Sequence, residues 1–156
     1  MNHSHSLYII RGLPGTGKTE LAETFRLGLE ALDPLDRAYM YDINHHLYAE
    51  ARRGDVNGSM LLDTQKVKSV YEATQTLIGY KMHSGCRSII LVGSFLKRKQ
   101  LEPYYAMAAQ YRYSLSIITA HNFHANPNKI PHYSLRRMSE ALEFPDTVIP
   151  VDLQAA

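Results

Sequence analysis

Eight consecutive residues, Gly12-Leu13-Pro14-Gly15-Thr16-Gly17-Lys18-Thr19, follow the spacing G-x-x-x-x-G-K-[ST], the pattern of a phosphate-binding loop, or P-loop. Each residue type has a physical task. Glycines let the backbone turn over an anion with its N–H groups pointing inward. A helix beginning at the end of the loop adds partial positive charge. Lys18 is placed to reach the β- and γ-phosphates of a nucleoside triphosphate, and the Thr19 hydroxyl to ligate Mg²⁺. A dinucleotide fingerprint does not fit, because Gly15-x-Gly17-x-x is followed by Glu20 rather than Gly or Ala,.

The flanks suit such a loop. Leu7 to Arg11 is an apolar run of the kind that forms a buried parallel strand,. After the loop, Leu21, Phe25, Leu29 and Leu32 recur at helical spacing,. Glu20 and Glu23 favour the start of that helix, and Asp33-Pro34 ends it,. Ala38 to Tyr41 is a second strand, stopped by Asp42. Ligands of parallel α/β sheets meet the carboxyl ends of the strands, so Asp42 falls on the edge that carries the P-loop. From its position alone it is equally a helix cap or turn residue.

Residues 43–59 are poorly patterned, with turn signals at Gly54-Asp55 and Asn57-Gly58,. Asp55-Val56-Asn57-Gly58 spells the D-x-x-G of a GTPase switch, but no strand precedes it. Thr64 to Ser84 reads as the longest helix, with Val67, Val70, Tyr71, Thr74, Leu77, Ile78 and Lys81 on one face and Gly85 as its stop,. Tyr71 and Tyr80 are expected to pack. Ser88 to Val92 is the clearest strand,. It is followed by Gly93-Ser94-Phe95 and by the cations Lys97, Arg98 and Lys99. Cations are unfavourable at a helix N-terminus, which points to an anion-facing role for at least one of them. Leu101, Tyr104, Tyr105, Ala108 and Tyr111 form a helical stripe, and Leu115 to Thr119 a fourth strand.

Residues 120–134 lack periodicity and read as a lid,. A short helix follows, with Leu135, Met138 and Leu142 inward and Arg136 and Arg137 beside them. Thr147 to Val151 reads as a last strand on a sheet edge, because it contains Pro150,. His121, His124 and His132 have no Cys or carboxylate nearby to complete a zinc site, so they read as ordinary loop residues,. The alternation implies one α/β domain, 1–156, with about five parallel strands and helices on both faces.

Composition agrees with a single domain. The 156 residues are 45% hydrophobic and 21% charged, as in ordinary globular proteins. A formal charge of +2 is too small to demand a nucleic-acid partner by bulk electrostatics,. The single Cys86 excludes an internal disulfide, and neither a signal peptide nor a membrane span is legible,. These features lead us to expect a cytoplasmic protein.

The order of these motifs resembles the small P-loop kinases related to polynucleotide kinase, especially their compact phage and bacterial ATP-binding members. The likeness covers nearly the whole chain. It rests on Gly12 to Thr19, on the strand ending in Asp42, on Ser94 to Tyr104 with its Glu102-Pro103-Tyr104, on His121 to Pro127 as a version of the family's R-N-x-H-G-V-P lid, and on Ser134 to Met138. The resemblance implies a three-layer fold with strand order 2-3-1-4-5 and an ATP- and Mg²⁺-dependent kinase. The acceptor it implies is often a 5′-hydroxyl of a polynucleotide or nucleoside. By position, Lys18 would stabilise the transferred phosphate and Thr19 would ligate Mg²⁺. Asp42 would be the general base, and Ser94, with Lys97 and Arg98, would face the acceptor.

Three positions depart from the family pattern. His121 stands where the lid arginine is expected, Gly93 replaces an acid after the third strand, and Ile43 rather than a second acid follows Asp42. Lys129, Arg136 or Arg137 would then have to supply charge to the transferred phosphate. The alternative function is a catalytically weak or inactive ATP-binding protein that acts through protein or nucleic-acid contacts.

Overall fold

Period-two alternation within the strands decides which layer each side chain joins. In the computed structural model the described residues are 5–13, 16–45, 47, 64–120 and the single positions 136, 138, 140 and 142. In chain order they form β1 (Ser6–Gly12), α1 (Lys18–Leu32), β2 (Tyr39–Asp42), α2 (Thr64–His83), β3 (Ser88–Gly93), α3 (Arg98–Tyr111) and β4 (Ser114–Ala120). Ile43, Asn44, His45 and Leu47 are helical and follow β2 directly.

The strands make one parallel sheet in the order β2-β3-β1-β4. β1 lies between β3 and β4, with Ile10 opposite Val92 and Ile118. On one face, Leu7, Ile9, Ile89, Leu91 and Ile117 join Tyr71, Ile78 and Met82 of α2 and Leu101, Tyr104 and Ala108 of α3. On the other, Ile10, Ile90 and Val92 meet Ala22, with Leu21, Phe25 and Leu29 of α1 packed against them. Burial on both faces is why β3 reads as an unbroken apolar run,. The result is the three-layer α/β/α P-loop fold with four of the expected strands in the expected order. The expected last strand, 147–151, lies outside the described residues.

Helix ends follow local chemistry. Gly85 at φ 80° closes α2, with the Cys86 N–H donating to Lys81 O and the Gly85 N–H to Met82 O, the paired bonds of a Schellman stop. Lys81 fits its apolar stripe because its ammonium lies 4.3 Å from the Tyr39 ring centre,. Two expected core residues are instead exposed. Leu32 is 87% exposed, since it occupies the final position of α1 where the chain turns away at Asp33. Tyr80 is 66% exposed, because it belongs to the solvent side of α2, off the stripe of Tyr71, Thr74 and Ile78.

Candidate active site

The carboxyl ends of β1, β2 and β3 bring the P-loop, Asp42 and Ser94 to one edge. Close approach dictates the glycine at the end of β1. Gly12 has φ 152°, and a Cβ there would stand 2.6 Å from Ala120 O, so no side chain fits. Gly17 at φ 78° is the N-cap of α1. Thr16 Oγ1 donates to Leu13 O at 2.7 Å and fixes the described part of the loop. Pro14 and Gly15 lie outside the described residues.

Lys18 is buried, and its ammonium donates to Gly12 O at 3.0 Å and Leu13 O at 2.9 Å. Burial pulls its pKa down to about 8, against the raising influence of Asp42 and Glu20,. The ammonium is thus held beneath the loop, and its protonation is weak enough for a bound anion to strengthen it.

Alternation places Asp42 on the α1 face, with Met40, opposite to Tyr39 and Tyr41. There the Thr19 hydroxyl donates to Asp42 Oδ2 at 2.5 Å. The other oxygen, Oδ1, accepts the His45 N–H at 3.0 Å, so Asp42 also caps the helical turn that begins at Ile43. The cap role and the site-edge position, which the sequence leaves as alternatives, are occupied together. A hydroxyl and a carboxylate in contact form an all-oxygen donor set of the kind hard divalent cations prefer.

Ser94 meets this edge from β3. Its carbonyl accepts the Gly12 N–H at 3.3 Å, and its hydroxyl lies 3.0 Å from Asn44 Nδ2. Asn44 had no sequence signal, since residues 43–59 show no pattern. Gly93 carries no acid because the Phe95 ring fills that space. A Cβ at 93 would come within 2.7 Å of Phe95 Cε2. Phe95 itself has φ 43°. Its N–H donates to the Tyr71 hydroxyl at 3.4 Å, and burial raises the Tyr71 pKa to about 12.

The basic run is exposed at the start of α3. The helix begins without an acidic residue in its first turn, and Gln100 Oε1 accepts the Lys97 N–H at 3.1 Å. Lys97 and Lys99 border a groove of about 630 Å³ between α2 and α3, floored by Val67 and Tyr71. Gln75 and Gln100 also line it, as do Lys68 and Glu72. Arg98 is not among the lining residues. Arg136 is an exposed helical position, whereas His121, Lys129 and Arg137 lie outside the described residues, as do His124, His132 and the 55–58 segment. No group of three metal-ligating side chains occurs among the described residues.

Arg11, which the sequence shows only as the end of a strand, is fully buried on the α2 and α3 face. Its Nε donates to Thr119 Oγ1 and its Nη1 to Phe95 O, both at 3.0 Å.

Residues 7–145 match the family described as AAA domain, and the chain belongs to that family. Its fold is similar to a gluconokinase from Sinorhizobium meliloti 1021, with TM-score 0.66 and 16% identity over 98% of this chain and 85% of that one. It is also similar to Chaetomium thermophilum Kti12 in complex with ADP-AlF3, with TM-score 0.64 and 12% identity over 96% and 90%. A third likeness is to the Mycobacterium tuberculosis APS kinase CysC in complex with AMPPNP and APS, with TM-score 0.59 and 11% identity over 98% and 91%. At these identities the likeness is one of fold. It does not single out the polynucleotide kinases. No described helix is long and apolar enough to cross a membrane.

Proposed function

We propose that this AAA-domain protein is an ATP-dependent kinase that moves the γ-phosphate of ATP to a hydroxyl of a small, negatively charged molecule. The observation that carries the reading is the 2.5 Å contact between Thr19 and Asp42 at the mouth of the P-loop. It supports a metal position and a proton-accepting carboxylate side by side, which phosphoryl transfer to an alcohol requires. Thr19 would hold Mg²⁺, and the ion would neutralise charge building on the phosphates. The loop N–H groups and Lys18 bind and orient the triphosphate. Asp42 takes the proton of the acceptor hydroxyl, and Ser94 and Asn44 orient that hydroxyl.

We take the acceptor class from the groove, whose lining residue Tyr71 also meets the Phe95 N–H beside Ser94. Its volume of about 630 Å³ suits a small molecule, and Lys68, Lys97 and Lys99 against the single Glu72 favour an anion. Two proteins of similar fold, a gluconokinase and an APS kinase, fit a small-molecule acceptor. The exposed run Lys97 to Lys99 favours a second acceptor, the 5′-hydroxyl end of a nucleic acid. Incubation with ATP labelled in its γ-phosphate separates these readings, using sugar acids, nucleotides and 5′-hydroxyl oligonucleotides as acceptors. Label on an anionic small molecule is the expected result. Label on the oligonucleotide alone, with binding that weakens steeply in salt, would favour the polymer. Tight ATP binding with no transfer to any acceptor would leave a nucleotide-binding protein.

A further inference from the structure

We infer that Arg11 is a positioning residue, which sets the β3–α3 turn and through it the Ser94–Asn44 pair beside the P-loop. Arg11 stands in register with Gly93 on one neighbouring strand and Thr119 on the other. Its guanidinium is fully buried, and two of its nitrogens point to different elements, Nε to Thr119 of β4 and Nη1 to the Phe95 carbonyl. Only a planar fork satisfies both directions at once, because a lysine ammonium is a single point.

The residue it holds is under backbone strain. Phe95 has φ 43°, a left-handed conformation that costs a non-glycine residue free energy and persists only when the surroundings enforce it,. Four contacts do so. The ring sits 5.2 Å from Tyr71 and 5.7 Å from Tyr104, both edge to face. The N–H is turned to the Tyr71 hydroxyl, and the carbonyl is held by Arg11. Ser94 is the next residue back, and it is tied to Gly12 by its carbonyl and to Asn44 by its hydroxyl. A change in the Phe95 turn therefore moves Ser94 against the P-loop. The burial of a permanent cation is costly, and here one of its hydrogen bonds falls on the strained turn at Phe95.

The effect on turnover rests on the kinase reading, but the effect on the turn does not, so the test reads both. Arg11→Lys and Thr119→Val are compared with wild type by amide hydrogen exchange, ATP affinity and phosphate transfer. In Arg11→Lys the amides of Ser94, Phe95 and Leu96 exchange about 10- to 100-fold faster, the weight of one charge-assisted hydrogen bond. Exchange in β1 and β3 stays unchanged, ATP affinity stays within about twofold, and transfer falls with the loop. Thr119→Val, which loses only the Nε acceptor, shows the same local pattern more weakly, and it decides the matter if Arg11→Lys does not fold. Unchanged exchange at 94–96, or exchange raised evenly over the sheet with ATP affinity falling in step, overturns the proposal. Local exchange as expected in a protein that transfers no phosphate would uphold Arg11 and reject the kinase reading.

Discussion

Thr19 and Asp42, 23 positions apart, meet through a 2.5 Å hydrogen bond that joins the first turn of α1 to the end of β2. The threonine is the donor, so its proton is committed to the carboxylate and its lone pairs are left for a cation. The same carboxylate caps the helical turn that carries Asn44. The proposed metal position, the proposed base and the amide proposed to face the acceptor are thus coupled through one side chain.

Lys18 should make nucleotide binding dependent on pH. Its ammonium is held near pKa 8 by burial, and a bound triphosphate favours the charged form. Above pH 8 the free protein has lost the proton that the complex keeps, so binding takes one up. Affinity for ATP is expected to be flat below pH 7 and to fall by up to about tenfold per pH unit above 8. Folding has the same proton on its other side. The pKa in the folded chain lies below the ordinary 10.5, so this group's contribution to stability rises between pH 8 and 10.5. Lys18→Met should bind ATP about 10- to 100-fold more weakly, the range for loss of a charged hydrogen-bond partner, and should lose the alkaline fall. Calorimetry in two buffers of different ionisation enthalpy reads affinity and proton uptake together.

Gly93 is expected to resist any side chain. The Phe95 ring and Ile43 Cδ1 crowd the place a Cβ would take. Overpacking of this kind costs about 1–3 kcal/mol. Gly93→Ala should lower Tm by about 2–4 °C for each kcal/mol in a chain of this size. Gly93→Asp, which would restore the family's acid, should be worse because it buries an unpaired carboxylate. A melting curve checks both, and an unshifted Tm for Gly93→Asp would mean that Phe95 yields more easily than its packing suggests.

These two residues also show what a sequence carries and what it hides. Lys18 was legible because the P-loop task fixes residue types at fixed spacing, and the strand and helix beside it follow from apolar periods of two and 3.6. The role of Gly93 was legible only as an absence, since the ring that excludes an acid lies two residues on in a left-handed turn. Arg11 and Asn44 left no trace, because their partners, Thr119 and Ser94, are 108 and 50 positions away. The exposure of Leu32 comes from its place at the end of α1, where the chain turns away at Asp33. That of Tyr80 was legible, because it stands off the stripe of Tyr71, Thr74 and Ile78.

The basic edge of the groove should govern acceptor affinity rather than rate. Lys97 and Lys99 line the groove, and neither Thr19 nor Asp42 is among its lining residues. Reversal to Glu at both positions is expected to raise KM for an anionic acceptor several-fold and leave kcat nearly unchanged, with the effect shrinking in salt. ATP affinity serves as the control. A loss confined to kcat would remove these lysines from acceptor binding and return them to a solvated helix start.

Asp42→Asn separates a kinase from a binder. Asparagine caps helices about as well as aspartate, so the variant should fold and melt like wild type. Its chemistry differs at the two atoms that matter. The carboxylate accepts from His45 at one oxygen and from Thr19 at the other, whereas an amide offers one acceptor and one donor. If the amide oxygen keeps the His45 N–H, the nitrogen faces Thr19 and forces the hydroxyl to accept. The threonine proton then points into the metal position. In either orientation position 42 no longer offers a group that can take a proton from an acceptor hydroxyl. Loss of a general base costs roughly 10²–10⁴ in rate, and phosphate transfer should fall by that factor. Affinity for metal-free ATP should change by less than about twofold, because the loop N–H groups and Lys18 are untouched, while the Mg²⁺ concentration for half-maximal activity should rise. Single-turnover transfer, calorimetry without metal and a Mg²⁺ titration read the three quantities separately. A variant that transfers phosphate at nearly the wild-type rate would sink the role assigned to Asp42. A shift in Mg²⁺ requirement with rate restored at saturating metal would keep it as a metal partner and remove it as the base.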